Sequence, residues 1–162
     1  DMLYFGGGYP ENYAVELENN ISMINSIRDF YNKNGVIYGE CGGFIYLSKK
    51  LITLDGREYN FVNLTENIIE MKNRLDIGRF GYINIKYREN FCGKGHEFHY
   101  SKIKEEGKEK KEFKIEKPNG RKWECGYSSK NLLCGYPHIH FFKSSDIIFD
   151  LLNRAEKNKE QK

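Results

Sequence analysis

The chain has only four cysteines, Cys41, Cys92, Cys125 and Cys134, with no C-x-x-C pair and no zinc-type spacing. This excludes a disulfide framework and predicts a reducing, cytosolic setting. Proline occurs three times, tryptophan once, and alanine only at positions 14 and 155. No apolar run approaches the roughly 20 residues of a transmembrane helix. The opening Asp1-Met2-Leu3-Tyr4-Phe5-Gly6 lacks the basic start and long apolar stretch of a signal peptide. An excess of one charge is also missing. The 26 Lys and Arg against 23 Asp and Glu leave +3, too little to point to a nucleic-acid partner.

What is present suits one domain. The 162 residues are enough to bury a core, and an aromatic content of 15% argues against disorder despite 30% charged residues. Leu3-Tyr4-Phe5 reads as a short buried strand entering Gly6-Gly7-Gly8. From Tyr13 to Asn32, Val15, Leu17, Ile21, Ile24, Ile27 and Tyr31 recur mostly at three- and four-residue steps, predicting one amphipathic helix stopped at Asn34-Gly35. Val36-Ile37-Tyr38 is a second buried strand, and Phe44 opens a second helix. The fold class is therefore α/β: an open, mostly parallel sheet flanked by helices, with added antiparallel hairpins.

Further along, Asp55-Gly56 and Asn119-Gly120 are hairpin turns. Phe80 to Tyr87 and His96 to Ser101 read as strands, Lys102 to Glu112 as a solvated loop, and Leu132 to Phe142 as a late strand. Ser144 or Ser145 caps a final helix carrying Ile147, Ile148, Leu151 and Leu152. The domain spans residues 1–156, and 157–162 form a polar tail.

Gly39-Glu40-Cys41-Gly42-Gly43 carries the most chemistry. A cysteine at a strand-to-helix junction, flanked by glycines, fits a sharp turn that pushes a nucleophile out of the sheet. A helix N-terminus favours the thiolate, and its free N–H groups can hold an oxyanion. The alternative is a buried structural cysteine in a glycine-rich turn. Gly6-Gly7-Gly8, at the carboxyl end of another strand, can supply a second oxyanion donor. It is not a phosphate loop, because no Gly-Lys-Ser/Thr follows. The base for a thiolate comes from four histidines, His96, His99, His138 and His140. His138 and His140 alternate and share a strand face. No carboxylate-histidine spacing suggests a metal. A Cys-His hydrolase or peptidase and an inactive scaffold use the same residues and stay open at this point.

Four motifs together resemble a known family: Tyr38-Gly-Glu-Cys41-Gly-Gly-Phe-Ile-Tyr-Leu47, Gly6-Gly-Gly-Tyr-Pro-Glu11, Gly95-His-Glu-Phe-His-Tyr-Ser101 and His138-Ile-His-Phe141. The chain resembles the glutamine amidotransferase domain of cobyrinic acid a,c-diamide synthases and of their hydrogenobyrinic and nickel-sirohydrochlorin counterparts. The likeness runs from Leu3 to about Leu152.

The resemblance implies roles. Cys41 attacks the glutamine side-chain amide. Gly42 N–H with the backbone of Gly7 or Gly8 holds the oxyanion, and His138 is the base, with His140 as the fallback. His96, Glu97 and His99 are accessory candidates. No cofactor is implied in this domain. ATP and magnesium belong to a synthetase domain that amidates a corrinoid or related tetrapyrrole, and a homodimer of the full enzyme is compatible.

Two departures stand out. His140 occupies the place where most class I amidotransferases carry the glutamate that orients the histidine, so a carboxylate from elsewhere, such as the synthetase domain, is expected. Pro137 replaces an aliphatic residue, which predicts an edge or altered register there. The sequence also reads as a C-terminal fragment, and self-association of the isolated chain is expected.

Overall fold

The first strand, β1 (Met2–Phe5), lies parallel to β2 (Val36–Glu40), with Leu3 opposite Ile37 and Phe5 opposite Gly39. The computed structural model describes residues 1–88 and 91–160. All five residues of β2 are buried, as expected of a strand covered on both faces. The crossover from β1 to β2 is not the single predicted helix. A 3-10 turn (Pro10–Tyr13) leads into α1 (Ala14–Asn19), and α2 (Ile21–Asn32) follows after a break at Asn20. The Asn20 carboxamide oxygen accepts from Met23 N–H at 3.1 Å, so a residue inside the apolar period caps a new helix instead. Asn34, at φ 63°, then ends α2, and Gly35 lies against the Phe30 ring.

β2 runs into α3 (Gly42–Leu47), and β11 (Leu132–Gly135) lies parallel on its other side. Beyond β11 the sheet turns antiparallel. It continues through β10 (Lys122–Ser129), β9 (Lys110–Glu116), β6 (Gly81–Tyr87) and β7 (Phe91–Glu97) to β12 (His138–Ile139). The eight-stranded order is β1-β2-β11-β10-β9-β6-β7-β12. Its two ends come back together: the Tyr4 ring on β1 is 6.1 Å from Phe141, just past β12. A second, four-stranded sheet has the order β4-β3-β5-β8, built from Glu58–Asn60, Lys50–Ile52, Ile68–Met71 and Ser101–Glu105. The Asp55-Gly56 turn joins β3 and β4, and Asn119-Gly120 joins β9 and β10, both as expected.

Other sequence expectations change as well. The segment from His96 to Ser101 is not one strand: β7 ends at Glu97, β8 starts at Ser101, and residues 98–100 cross from the large sheet to the small one. Lys102 to Glu112 is not a loop, because β8 and the start of β9 occupy most of it. Strand pairing satisfies its backbone while most of the charged side chains stay exposed. The stretch from Leu132 to Phe142 breaks at Tyr136-Pro137. Proline has no N–H to donate and restricts the residue before it, so the chain leaves β11 and re-enters at the far end of the sheet, where β12 is the last strand.

The last helix, α4 (Ser145–Glu160), buries Ile147, Leu151 and Ala155 on a single line four residues apart. It runs past residue 156 into the segment assigned from sequence to the tail; 161–162 lie outside the described residues. The Ser144 hydroxyl, expected as a cap, instead accepts from Lys94 N–H of β7 at 3.0 Å. On the sheet side, Asp150 accepts from the Tyr87 hydroxyl and pairs with Arg88 and Arg154. Among the described residues no helix is long and apolar enough to cross a membrane.

Candidate active site

Cys41 stands between the buried β2 and α3 with φ 46° and ψ −104°. For a non-glycine residue this is a sparsely populated conformation that costs on the order of 1–3 kcal/mol, and it persists only where the surroundings enforce it. Here they do. Cys41 N–H donates to Gly135 O at 2.8 Å, and Gly43 N–H donates to Gly6 O at 3.1 Å. These bonds tie the turn to β11 on one side and to the first glycine loop on the other.

The flanking glycines are required by contact. A Cβ on Gly42 would stand 2.3 Å from Gly8 O and 2.6 Å from Gly8 N, and one on Gly43 would stand 2.3 Å from Phe5 O. These are backbone atoms that have no rotamer by which to yield. Gly42 N–H, at the first position of α3, has no intrahelical acceptor. The Gly42 α-carbon lies against the Gly8 backbone beside the cysteine, so the two glycine loops that the sequence singled out form one surface. A cavity of about 500 Å³ opens there, lined by Gly6, Gly8, Tyr9, Gly42, Gly43 and Tyr46. Gly7 serves differently. A Cβ on it would lie 2.4 Å from His138 Cε1, so its bare backbone packs directly on the imidazole.

His138 reaches the cysteine from the far end of the sheet order. Its pKa is raised to about 10, first by the Cys41 sulfur, then by Glu40, against an opposing effect of burial. The side chain therefore stays charged at neutral pH. The sign follows from a folded pKa above the ordinary value of roughly 6.5. The stabilisation from the charged His138 is complete below about 6.5 and is lost as pH rises toward 10.

Glu40 is the residue that the sequence reading missed. It is 4% exposed, and its Oε2 lies 3.8 Å from His138 Nδ1, an ionic contact rather than a direct hydrogen bond. Three donors hold the carboxylate: Tyr4 OH at 2.9 Å, Tyr38 OH at 3.0 Å and Ile139 N–H at 2.9 Å. Burial and the same carboxylate raise the pKa of both tyrosines, so they remain donors. The acid expected from another domain thus has a local counterpart. It escaped notice because neighbours on an ideal strand point to opposite faces. The positive φ of Cys41 breaks that rule and lets both residues approach His138.

The histidine motif divides in two. His96, opposite His138 in the β7–β12 register, stacks on its ring at 4.8 Å between centroids. Its pKa is lowered, first by burial and then by the charge of His138, so it packs there as a neutral ring. Glu97 is fully buried, and its Oε1 accepts from Trp123 Nε1 at 3.2 Å. His99 Nε2 faces Glu97 Oε2 at 3.2 Å, and Nδ1 faces Ser101 O at 2.8 Å. Contacts at both ring nitrogens fix the orientation of the imidazole. The His99 ring also stacks on Tyr136 at 3.8 Å. Between these anchors, Phe98 O lies 3.7 Å from Cys41 Sγ. The motif is therefore a pinned arch over the thiol. His140, the fallback base, is exposed where β12 ends and a 3-10 turn (Phe141–Lys143) begins, and it does not join the cluster.

Of the other cysteines, Cys125 and Cys134 are buried thiols. Burial pushes Cys125 up to about 12 and raises Cys134, so both are poor nucleophiles. Cys92 is exposed. It lines a cavity of about 820 Å³ on the face of β6, β7, β9 and β10, where neither Cys41 nor His138 takes part.

The sequence profile of the CobB/CobQ-like glutamine amidotransferase domain matches residues 1–146. The chain belongs to this family. Among curated relatives, the amidotransferase domain is 50% identical over 149 residues to a cobyrinate a,c-diamide synthase from Fusobacterium nucleatum, covering 91% of this chain and 34% of that protein. It is 36% identical over 161 residues to a cobyrinate a,c-diamide synthase from Caldanaerobacter subterraneus, covering 94% of this chain and 35% of that one. The chain thus spans about a third of the relatives it matches. A solved crystal structure of a glutamine amidotransferase superposes with a TM-score of 0.71, covering 96% of this chain and 79% of that chain. At 13% identity that likeness establishes the α/β fold of the domain and nothing finer.

Proposed function

We propose that this chain is the glutamine-hydrolysing part of a cobyrinate a,c-diamide synthase. The observation that carries the reading is Cys41, held in a strained elbow beside a charged His138 that in turn faces buried Glu40. The Cys41 thiolate attacks the side-chain amide carbon of glutamine. The developing oxyanion takes hydrogen bonds from Gly42 N–H and the adjoining Gly7-Gly8 backbone. His138 gives its proton to the departing nitrogen, the C–N bond breaks, and ammonia leaves a glutamyl thioester on Cys41. His138, now neutral, draws a proton from water, whose oxygen attacks the thioester carbonyl. Glutamate leaves and the thiolate–imidazolium pair is restored.

The ammonia is used to amidate the a and c carboxylates of a corrinoid precursor in cobalamin biosynthesis. ATP and magnesium are assigned to the remaining two-thirds of such an enzyme. This chain carries no phosphate-loop motif and, among its described residues, no cluster of His, Cys, Asp and Glu suited to a metal. Acid quenching of the full-length enzyme during turnover of carbon-labelled glutamine tests the reading. Label is expected on the peptide that contains Cys41 and is expected to leave on treatment with hydroxylamine. A Cys41 peptide without label during active turnover would overturn it.

A further inference from the structure

The outward face of the antiparallel part of the large sheet carries more positive charge than its neighbours neutralise. Side chains alternate along β6 and β9, with Ile83, Ile85, Phe113 and Ile115 buried on one side and Lys86 and Lys114 exposed on the other. Strand register sets Lys86 directly opposite Lys114 on one flank and opposite Cys92 on the other. Lys94, two residues beyond Cys92, is then the diagonal neighbour of Lys86, at about 7–8 Å between α-carbons. Among the described residues, Lys86, Lys94 and Lys114 make no ion pair, whereas Lys122 is paired with Glu116 at 3.4 Å. Three lysines against the remaining carboxylate, Glu124, leave a surplus of two positive charges. Like charges directly opposite on adjacent strands destabilise a sheet, and an anion lying across Lys86 and Lys114 removes that cost.

The same residues line the cavity of about 820 Å³. This is toward the upper end of small-molecule sites and far more than a lone phosphate fills. Lysine side chains present methylene stems below their charged ends, so the wall offers apolar contact together with charge. The three unpaired lysines come from three different strands, β6, β7 and β9. No glycine-rich loop or helix N-terminus lies among them to cradle a chain of linked phosphates, so the arrangement suits separate acid groups better than a nucleotide.

We propose that this face binds a large organic acid, with several carboxylates set around an apolar body, and that Lys86, Lys94 and Lys114 each take a carboxylate. The acceptor in the reaction proposed above is an acid of this kind, so the choice of ligand rests on that reading. The site is separate from the glutamine pocket, and its occupant meets neither Cys41 nor His138.

Cys92 supplies a local readout, because it is exposed in the same cavity opposite Lys86. In full-length enzyme kept in the dark, uroporphyrin, a tetrapyrrole polycarboxylate, is expected to slow alkylation of Cys92 by iodoacetamide several-fold, as read by mass spectrometry of the Cys92 peptide. Lys86→Ala combined with Lys114→Ala should remove the protection and leave glutamine hydrolysis at the wild-type rate. Citrate and ATP at the same concentration should protect far less. Equal protection by either would overturn the proposal, because charge alone would then suffice. Absence of protection by uroporphyrin, protection that survives in the double variant, or a Cys92 already unreactive without ligand would overturn it as well. None of these outcomes depends on Cys41, so failure of the glutaminase reading appears separately, as an unlabelled Cys41.

Discussion

Replacing Cys41 by serine in the full-length enzyme should abolish glutamine-dependent amidation while ammonia-dependent amidation continues at the wild-type rate. The loss of glutaminase turnover should be on the order of 10⁴-fold or more, the scale seen when a nucleophile that acts as one unit with its base is removed. Serine keeps the shape of the side chain, and the bonds from Cys41 N–H to Gly135 O and from Gly43 N–H to Gly6 O involve backbone only. The elbow should therefore survive the change. What is lost is the thiolate, because a serine hydroxyl beside an imidazolium has no available base to take its proton. Steady-state assays with glutamine and with ammonium chloride, run side by side, give the answer. Equal loss of both activities would make Cys41 a structural residue and remove the basis of the mechanism.

The second large effect is expected at Glu40. Glu40→Gln keeps the volume of a side chain that is 4% exposed, and it leaves one oxygen for Tyr38 OH and Ile139 N–H. It removes the negative charge facing His138 Nδ1 at 3.8 Å. Replacing the orienting acid of a hydrolytic triad by its amide costs about 10⁴-fold in turnover when the acid bonds the histidine directly. The longer contact here argues for less, on the order of 10²–10³-fold in kcat with little change in KM for glutamine. A purely structural role would lower stability without moving a titration. The discriminating readout is therefore the pH dependence of glutamine hydrolysis. One of the causes that raises His138 disappears in the variant, so the limb of the profile set by His138 should move to lower pH. A profile of the same shape as wild type, with turnover reduced, would show that Glu40 only supports packing.

Much of the site was legible because its chemistry is local. Cys41 with its glycines lies on contiguous residues, and the bare backbone at Gly42 and Gly43 answers contacts within the same strand–turn–helix unit and the glycine loop it meets. The histidine motif was visible as a pattern, but its division of labour was not. His96 and His99 are three residues apart, yet one stacks on His138 and the other is buried against Glu97, because the chain changes sheets between them. Asn20 shows the same limit on a smaller scale. An apolar period continued across it, but a side chain able to bond its own backbone started a new helix instead.

By itself the sequence determined the family and singled out the candidate nucleophile, the glycine loops and the late histidine. These depend on residue types held at short, fixed spacings, and backbone geometry at a tight turn leaves few alternatives. Only the tertiary structure decided what surrounds them. The Pro137 break sends His138 to the far end of the sheet order, where curling of the sheet returns it to Glu40. Phe98 comes over Cys41 from 57 positions further along the chain. Such meetings depend on strand order and sheet curvature, which arise from the summed packing of the whole core and are not encoded in any one stretch of residues.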